Sequence, residues 1–216
     1  VWEQKEIQEV SLSKLTLRSP ERSRRTNTAT IQIKMIKFVY FDLGGVVIRD
    51  FSGTNNWEIV KKEWNLTDEY WDKFEPKLCA GKQKIDPDLL NAFVSRFETN
   101  PSIWPVIAEI HKSCRIGLLT NMYPGMFKAI QDAKIMPDVA WDVIIDSSVV
   151  GLAKPDPQIF KLAQTRAGAS GQDILFVENS PRNTQAATDF GWQIFLYDSA
   201  HPEESSQKFS LLLETE

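Results

Sequence analysis

The stretch Ile36-Lys37-Phe38-Val39-Tyr40-Phe41-Asp42-Leu43-Gly44-Gly45 decides the fold. Its first six residues, β-branched and aromatic but for one lysine, read as a strand that stops at an aspartate and a tight glycine turn. The same pattern recurs downstream. Residues 115–119 (RIGLL) end in Thr120-Asn121, 142–145 (DVII) in Asp146-Ser147, and 174–177 (ILFV) in Glu178-Asn179, while 193–197 add a fifth apolar run. Between these runs, Asn100-Pro101, Asp156-Pro157 and Ser180-Pro181 each offer a capping side chain before a proline suited to the first helical position. Strands alternating with helices predict an α/β protein with a parallel sheet and helices on both faces.

Working outward, residues 35–50 and 100–200 are expected to form this core, interrupted by an insertion over 51–99. The insertion shows no strand pattern and carries helix starts at Thr67, followed by Asp68-Glu69, and at Asp86-Pro87-Asp88. Trp57, Trp64 and Trp71 recur every seven residues, the spacing of one helix face, although Asn65-Leu66-Thr67 is expected to break a continuous helix. These aromatics are expected to pack onto the sheet domain, the alternative being a wall over a substrate. Residues 201–216 are read as a C-terminal tail. Residues 1–34 hold seven Lys/Arg against four Glu, and a Ser/Thr/Arg-rich middle too poor in large apolar side chains to offset the entropy of ordering it. They are expected to be a flexible leader or a non-native upstream segment.

Composition excludes several classes of protein. Of the 216 residues 42% are hydrophobic and 25% charged, which argues against disorder and coiled coil. The net charge of −4 supplies no field for nucleic acid or an anionic membrane surface. Lys34, Lys37 and Asp42 interrupt the most apolar stretch, so no membrane span is expected. Cys79 and Cys114 have neither CxxC spacing nor a histidine cluster and are expected to be buried and reduced, in a cytoplasmic protein. His111 and His201 are read as structural or solvated. Ser147 and Ser148 have no histidine partner to make a hydrolase nucleophile.

In a parallel α/β sheet, ligands bind beyond the carboxyl ends of the strands, and the polar residues above all fall there. Asp42 and Glu178 supply carboxylates, Thr120 a hydroxyl, Asn121 a backbone N–H, and Lys154 an ammonium in a proline-flanked loop. The glycines after Asp42 let backbone amides approach an anion. Together these groups suit a phosphate and Mg²⁺.

The four segments Phe41-Asp42-Leu43-Gly44-Gly45-Val46, Leu119-Thr120-Asn121, residues 151–160 (GLAKPDPQIF) and residues 176–187 (FVENSPRNTQAA) resemble, in order, the motifs of the haloacid dehalogenase-like hydrolase superfamily. The resemblance runs from about Met35 to Tyr197. It implies a Rossmann-like core with an inserted α-helical cap, and Asp42 as a nucleophile forming an aspartyl-phosphate. It further implies that Leu43, Gly44, Thr120, Asn121 and Lys154 bind substrate, and that Asp42, the Gly44 carbonyl, Glu178 and Asn179 lie at the Mg²⁺. The expected activity is Mg²⁺-dependent hydrolysis of a small phosphorylated metabolite, such as a sugar phosphate. A low-turnover binding or regulatory protein and a carbon–halogen hydrolase are the alternatives.

Two departures stand out. Phosphatases of the superfamily usually carry a second aspartate two residues after the nucleophile, which protonates the leaving oxygen; that position is Gly44 here. Asn179 replaces a second acid in the fourth motif, and Val149 stands where a glutamate is often found before the third. On sequence alone, Gly44→Asp would restore the missing acid.

Overall fold

The decisive run folds as strand β1 (Phe38–Phe41), with all four side chains buried. Burial on both faces is what a central parallel strand requires, and it explains why the run does not alternate with polar residues. The computed structural model describes residues 36–214. Beyond β1 lie β2 (Ile48–Arg49), α1 (Asn56–Glu63), α2 (Asp68–Cys79), α3 (Pro87–Val94), β3 (Glu98–Thr99) and α4 (Trp104–His111). They are followed by β4 (Arg115–Thr120), α5 (Met126–Asp132), β5 (Val143–Asp146), α6 (Ser147–Val150) and α7 (Pro157–Ala167). The series closes with β6 (Ile174–Glu178), α8 (Pro181–Asp189), β7 (Gln193–Leu196) and α9 (Pro202–Glu214). The leader expected over residues 1–34 lies outside the described residues.

Five strands form one parallel sheet in the order β5-β4-β1-β6-β7. The chain moves from β1 to one side through β4 and β5, then crosses to the other through β6 and β7, so the order reverses beside β1. That reversal opens a crevice at the carboxyl ends of β1 and β6. Alternation within the strands divides the core in two. Val39, Phe41, Leu118 and Val177 pack with Ile107 of α4, Ile130 of α5 and Phe209 of α9. Phe38, Tyr40, Leu119 and Phe176 pack with Phe160 of α7 and Ala187 of α8. The buried Tyr40 hydroxyl donates to the Ala163 carbonyl at 2.9 Å. Among the described residues no helix is long and apolar enough to cross a membrane.

Four helix starts follow the capping pattern. Thr67 accepts from Tyr70 N, Asp86 from Asp88 N and Leu89 N, Asp156 from Gln158 N, and Ser180 from Asn183 N. Asn100-Pro101 does not cap a helix. α4 begins at Trp104 instead, because the Asn100 side chain is engaged elsewhere: its Nδ2 donates to the Val46 carbonyl at 2.7 Å and to the Tyr197 hydroxyl at 3.0 Å. Ser102 Oγ donates to its Oδ1 at 2.7 Å. Asn100 therefore braces the turn that follows Asp42.

The insertion carries three helices, and Asn65, at a φ of 51°, breaks the chain between α1 and α2. Trp57 and Trp71 nevertheless meet, with ring centroids 4.9 Å apart, and Phe51, Phe74 and Phe93 complete an aromatic cluster. Trp71 and Phe93 belong to the same buried cluster as Val39 and Phe41 of the sheet, and each ring lies 5.9 Å from Tyr123. Contrary to the sequence expectation of no strand, the insertion ends in β3, which pairs antiparallel with β2 and closes its stem.

The C-terminal tail carries α9. Its Phe209 is fully buried, 4.7 Å from the Phe195 ring and 6.2 Å from Phe41. Phe209→Ala is expected to lower unfolding free energy by about 3–5 kcal/mol through lost burial and the cavity left behind. Denaturant titration checks this, and a loss below about 1 kcal/mol would show that α9 is not part of the core.

Candidate active site

The register of the sheet assembles the site. Phe41 lies opposite Leu118 and Val177, so Asp42 and Glu178 each come one residue past this row, and Thr120 comes two past it. The loop before α7 then brings in Lys154. Its Nζ lies 3.0 Å from Asp42 Oδ1 and 2.6 Å from Glu178 Oε2. The Lys154 and Glu178 side chains are 0% exposed, whereas Asp42 keeps 13% and so remains open to a ligand. Asn121 fixes the lysine: its Oδ1 accepts from Lys154 N at 2.8 Å and its Nδ2 donates to the Lys154 carbonyl at 2.9 Å. Phe176 lies under the ammonium, 5.1 Å from its ring centroid.

Leu43 N donates to Asp42 Oδ1 at 2.8 Å, the same oxygen that meets Lys154. Oδ2 makes no hydrogen bond among the described residues. One carboxylate oxygen is thus anchored while the other is available to attack. Thr120 ends β4 almost wholly buried, with no hydrogen bond to its hydroxyl among the described residues. Glu178 is engaged through both oxygens, Oε1 accepting one bond, from Ser180 N at 2.9 Å, and Oε2 accepting from Asn183 Nδ2 at 3.2 Å as well as from Lys154.

Electrostatics follow from this packing. Burial, reinforced by the Asp42 charge, pushes the Glu178 carboxyl up to about 7 against the opposing pull of Lys154 and Ser180 N–H. Burial alone would lower the Lys154 ammonium, but Asp42 and Glu178 outweigh it and hold the group above its ordinary value. Asp50 is raised, first by burial and then by Asp42, against the Ser52 hydrogen bonds. Away from the site, burial pushes the Cys79 thiol up to about 12 and the half-buried Cys114 thiol to about 11, so neither is a poised nucleophile.

The donor set suits a hard cation. Asp42 and Glu178 offer carboxylate oxygens, and the Gly44 carbonyl is left out of the turn's hydrogen bonds, which run from Gly45 N to Ile48 O and from Val47 N and Ile48 N to Leu43 O. Among the described residues no cluster of three or more His, Cys, Asp or Glu is placed to hold a metal. Two carboxylates plus water and substrate oxygens are a usual Mg²⁺ set. Asn179, the remaining candidate, makes no hydrogen bond to Asp42, Lys154 or Glu178; its Nδ2 donates to Ser52 Oγ at 3.0 Å. It lies beside Gly45, whose φ of 75° and close approach to Asn179 leave no room for a Cβ.

The structure also brings in residues that the sequence reading missed. Asn183 contacts Glu178 from the first turn of α8, and Tyr123 in the loop after Thr120-Asn121 donates its hydroxyl to Glu75 Oε1 of α2 at 2.7 Å. The buried Ser147 hydroxyl is used structurally, accepting from Met122 N at 2.9 Å and thereby holding that loop. Asp50 is the third acid here: it feels the Asp42 charge, and its own charge acts on Tyr123.

A family model described as haloacid dehalogenase-like hydrolase matches residues 36–191. Acyl-CoA dehydrogenase family member 10 of Mus musculus is 24% identical over 152 residues, which are 68% of this chain and 14% of that protein. An (S)-2-haloacid dehalogenase of Pseudomonas fluorescens is 28% identical over 81 residues, 37% of this chain and 34% of that protein. The chain thus spans well under two thirds of these relatives' lengths. Among solved structures, a haloacid dehalogenase family enzyme from Bacteroides thetaiotaomicron, in complex with magnesium and inorganic phosphate, aligns with a TM-score of 0.64 at 19% identity. The alignment covers 76% of this chain and 95% of that one, a likeness of fold. With the strand-end carboxylates, the buried lysine and a family match over most of its length, the chain belongs to the haloacid dehalogenase-like hydrolases.

Proposed function

We propose that the protein is a Mg²⁺-dependent phosphomonoester hydrolase that acts on a small phosphorylated metabolite, such as a sugar phosphate, through an aspartyl-phosphate at Asp42. The observation that carries this reading is the buried Lys154 ammonium bridging Asp42 and Glu178. With both carboxylates ionised the trio carries −1, and a phosphate dianion would bring it to −3. Asp42, Glu178 and the Gly44 carbonyl would hold a divalent cation, which would offset that charge and stabilise the phosphoryl oxygens.

This chain's own groups do the rest. Asp42 Oδ2 attacks phosphorus while Leu43 N–H and Lys154 orient Oδ1. The Thr120 hydroxyl and the Asn121 amide hold phosphoryl oxygens. The bond to the leaving oxygen breaks, and water then attacks the phosphorus of the aspartyl-phosphate, releasing phosphate and restoring the carboxylate. The helical insertion acts as a cap, with substrate choice set by its shape. Its two thiols suit a reducing compartment, the cytoplasm.

The second reading is carbon–halogen hydrolysis, favoured by the likeness to the Pseudomonas dehalogenase. There no divalent cation is needed, and a second buried carboxylate would only compete with Asp42 for the Lys154 ammonium, so Glu178 weighs against this reading. A screen of phosphorylated metabolites and 2-haloacids, with Mg²⁺ and with EDTA, separates the two. Phosphate release lost in EDTA is expected. Halide release unaffected by EDTA would overturn the proposal.

A further inference from the structure

Gly44 leaves the family's usual acid position without a side chain, yet the space is not empty. A Cβ built on Gly44 would lie as far from Asp50 Oδ2 as the Cβ of an aspartate lies from its own Oδ, with Asp50 Cγ at 3.2 Å and Asp50 Cβ at 3.6 Å. Asp50 Oδ2 therefore fills the space that a side chain at position 44 would enter. Ser52 N donates to the other oxygen, Oδ1, at 2.8 Å and fixes the side chain. The Ser52 side chain adds a second hydrogen bond to the carboxylate, and Asp50 makes no ion pair among the described residues. The chain reaches this place from Gly44 through a turn closed by Gly45 N to Ile48 O at 2.9 Å and braced by Asn100 on the Val46 carbonyl. The turn returns residue 50 to Gly44, so a carboxylate eight residues after Asp42 stands beside the position two residues after it.

We propose that Asp50 is the general acid and base of this site. The inference rests on the phosphatase reading above. As the phosphorus–oxygen bond breaks, the leaving alkoxide takes its electron pair and receives the Asp50 proton. In the second half, the Asp50 carboxylate accepts a proton from the water attacking phosphorus, the bond from phosphorus to Asp42 breaks, and both carboxyls return to their starting state. Gly44→Asp alone places two carboxyls in one space, so it gains no activity.

Asp50→Asn keeps an acceptor for Ser52 N and removes the proton. Its turnover of an alkyl phosphate is expected to fall about 10²–10⁴-fold, because an alkoxide leaves poorly. With an aryl phosphate it is expected to release one equivalent of phenol in a burst near the wild-type rate, then turn over slowly while the aspartyl-phosphate accumulates. A purely structural role would slow both substrates alike and give no burst.

Moving the carboxylate completes the test. Truncating Asp50 to alanine leaves only its Cβ, at 3.6 Å, facing a side chain at 44. Gly44→Asp/Asp50→Ala is therefore expected to hydrolyse alkyl phosphates at least about tenfold faster than Asp50→Ala. The inference is overturned by any of three results: Asp50→Asn within about threefold of wild type on the alkyl substrate, equal losses on both substrates without a burst, or a double variant no better than Asp50→Ala. Wild-type protein that turns over neither phosphate would overturn the phosphatase reading and this one with it.

Discussion

Asp42→Asn is expected to reduce aryl phosphate hydrolysis on the order of 10³-fold or more while leaving the fold intact. The change is nearly isosteric, and an asparagine oxygen can still accept from Leu43 N and Lys154 Nζ. It removes one of two like charges from around a single buried ammonium, so the thermal midpoint is expected to hold or rise. Hydrolysis and thermal unfolding measured on the same preparation check both halves. Activity at a quarter of wild type or more would remove Asp42 from the role of nucleophile.

Lys154→Met is expected to act on both stability and activity. It leaves Asp42 and the fully buried Glu178 facing each other without their cation. Stranding a buried charge in this way costs about 3–5 kcal/mol. For a domain of this size that corresponds to a fall in the midpoint of roughly 10 °C. Turnover should be lost as well, since the ammonium orients the nucleophile and neutralises the phosphoryl group. Adding Glu178→Gln to Lys154→Met removes the stranded charge and is expected to recover most of the stability but none of the activity. Scanning calorimetry of the single and double variants tests this, and a single variant that melts within about 2 °C of wild type would show that the trio is not a coupled unit.

Much of this architecture is legible in local sequence because the signals are local. Each of the five apolar runs is a strand, and the polar residues that end them lie at the carboxyl edge. Thr67, Asp86, Asp156 and Ser180 cap helices because nothing else competes for their side chains. Asn100 carries the same signal and does something different, since the Val46 carbonyl and Tyr197 hydroxyl, distant in sequence, take its amide. Competition of that kind leaves no mark in a ten-residue window. The helix over residues 202–214 was legible in principle: Pro202 with Glu203-Glu204 opens it, and Phe209 and Leu213, four residues apart, both pack on the core. Two-residue strands such as β2 and β3 are too short for any periodicity to reveal.

The site divides in the same way. Asp42, Thr120, Lys154 and Glu178 are brought together because each ends or precedes a regular element at one edge of the sheet. Asn121 follows Thr120 at that edge, and its side chain clamps the Lys154 backbone. Asn179 turns its amide nitrogen to Ser52. Asp50 lies beyond pattern reading altogether. Arg49-Asp50-Phe51 looks like any turn out of a strand, and only the path of the chain back toward Gly44 gives it chemistry.

The central claim is that Asp42 becomes phosphorylated in turnover. The direct measurement is rapid acid quench of the protein during hydrolysis of a labelled aryl phosphate in Mg²⁺, followed by proteolysis and mass spectrometry of the peptide that contains Phe41-Asp42-Leu43. A phosphoryl group on Asp42, labile to base and absent from Asp42→Asn, is the expected result. Steady phosphate release with an unmodified Asp42, or a phosphoryl group on any other residue, would contradict the account.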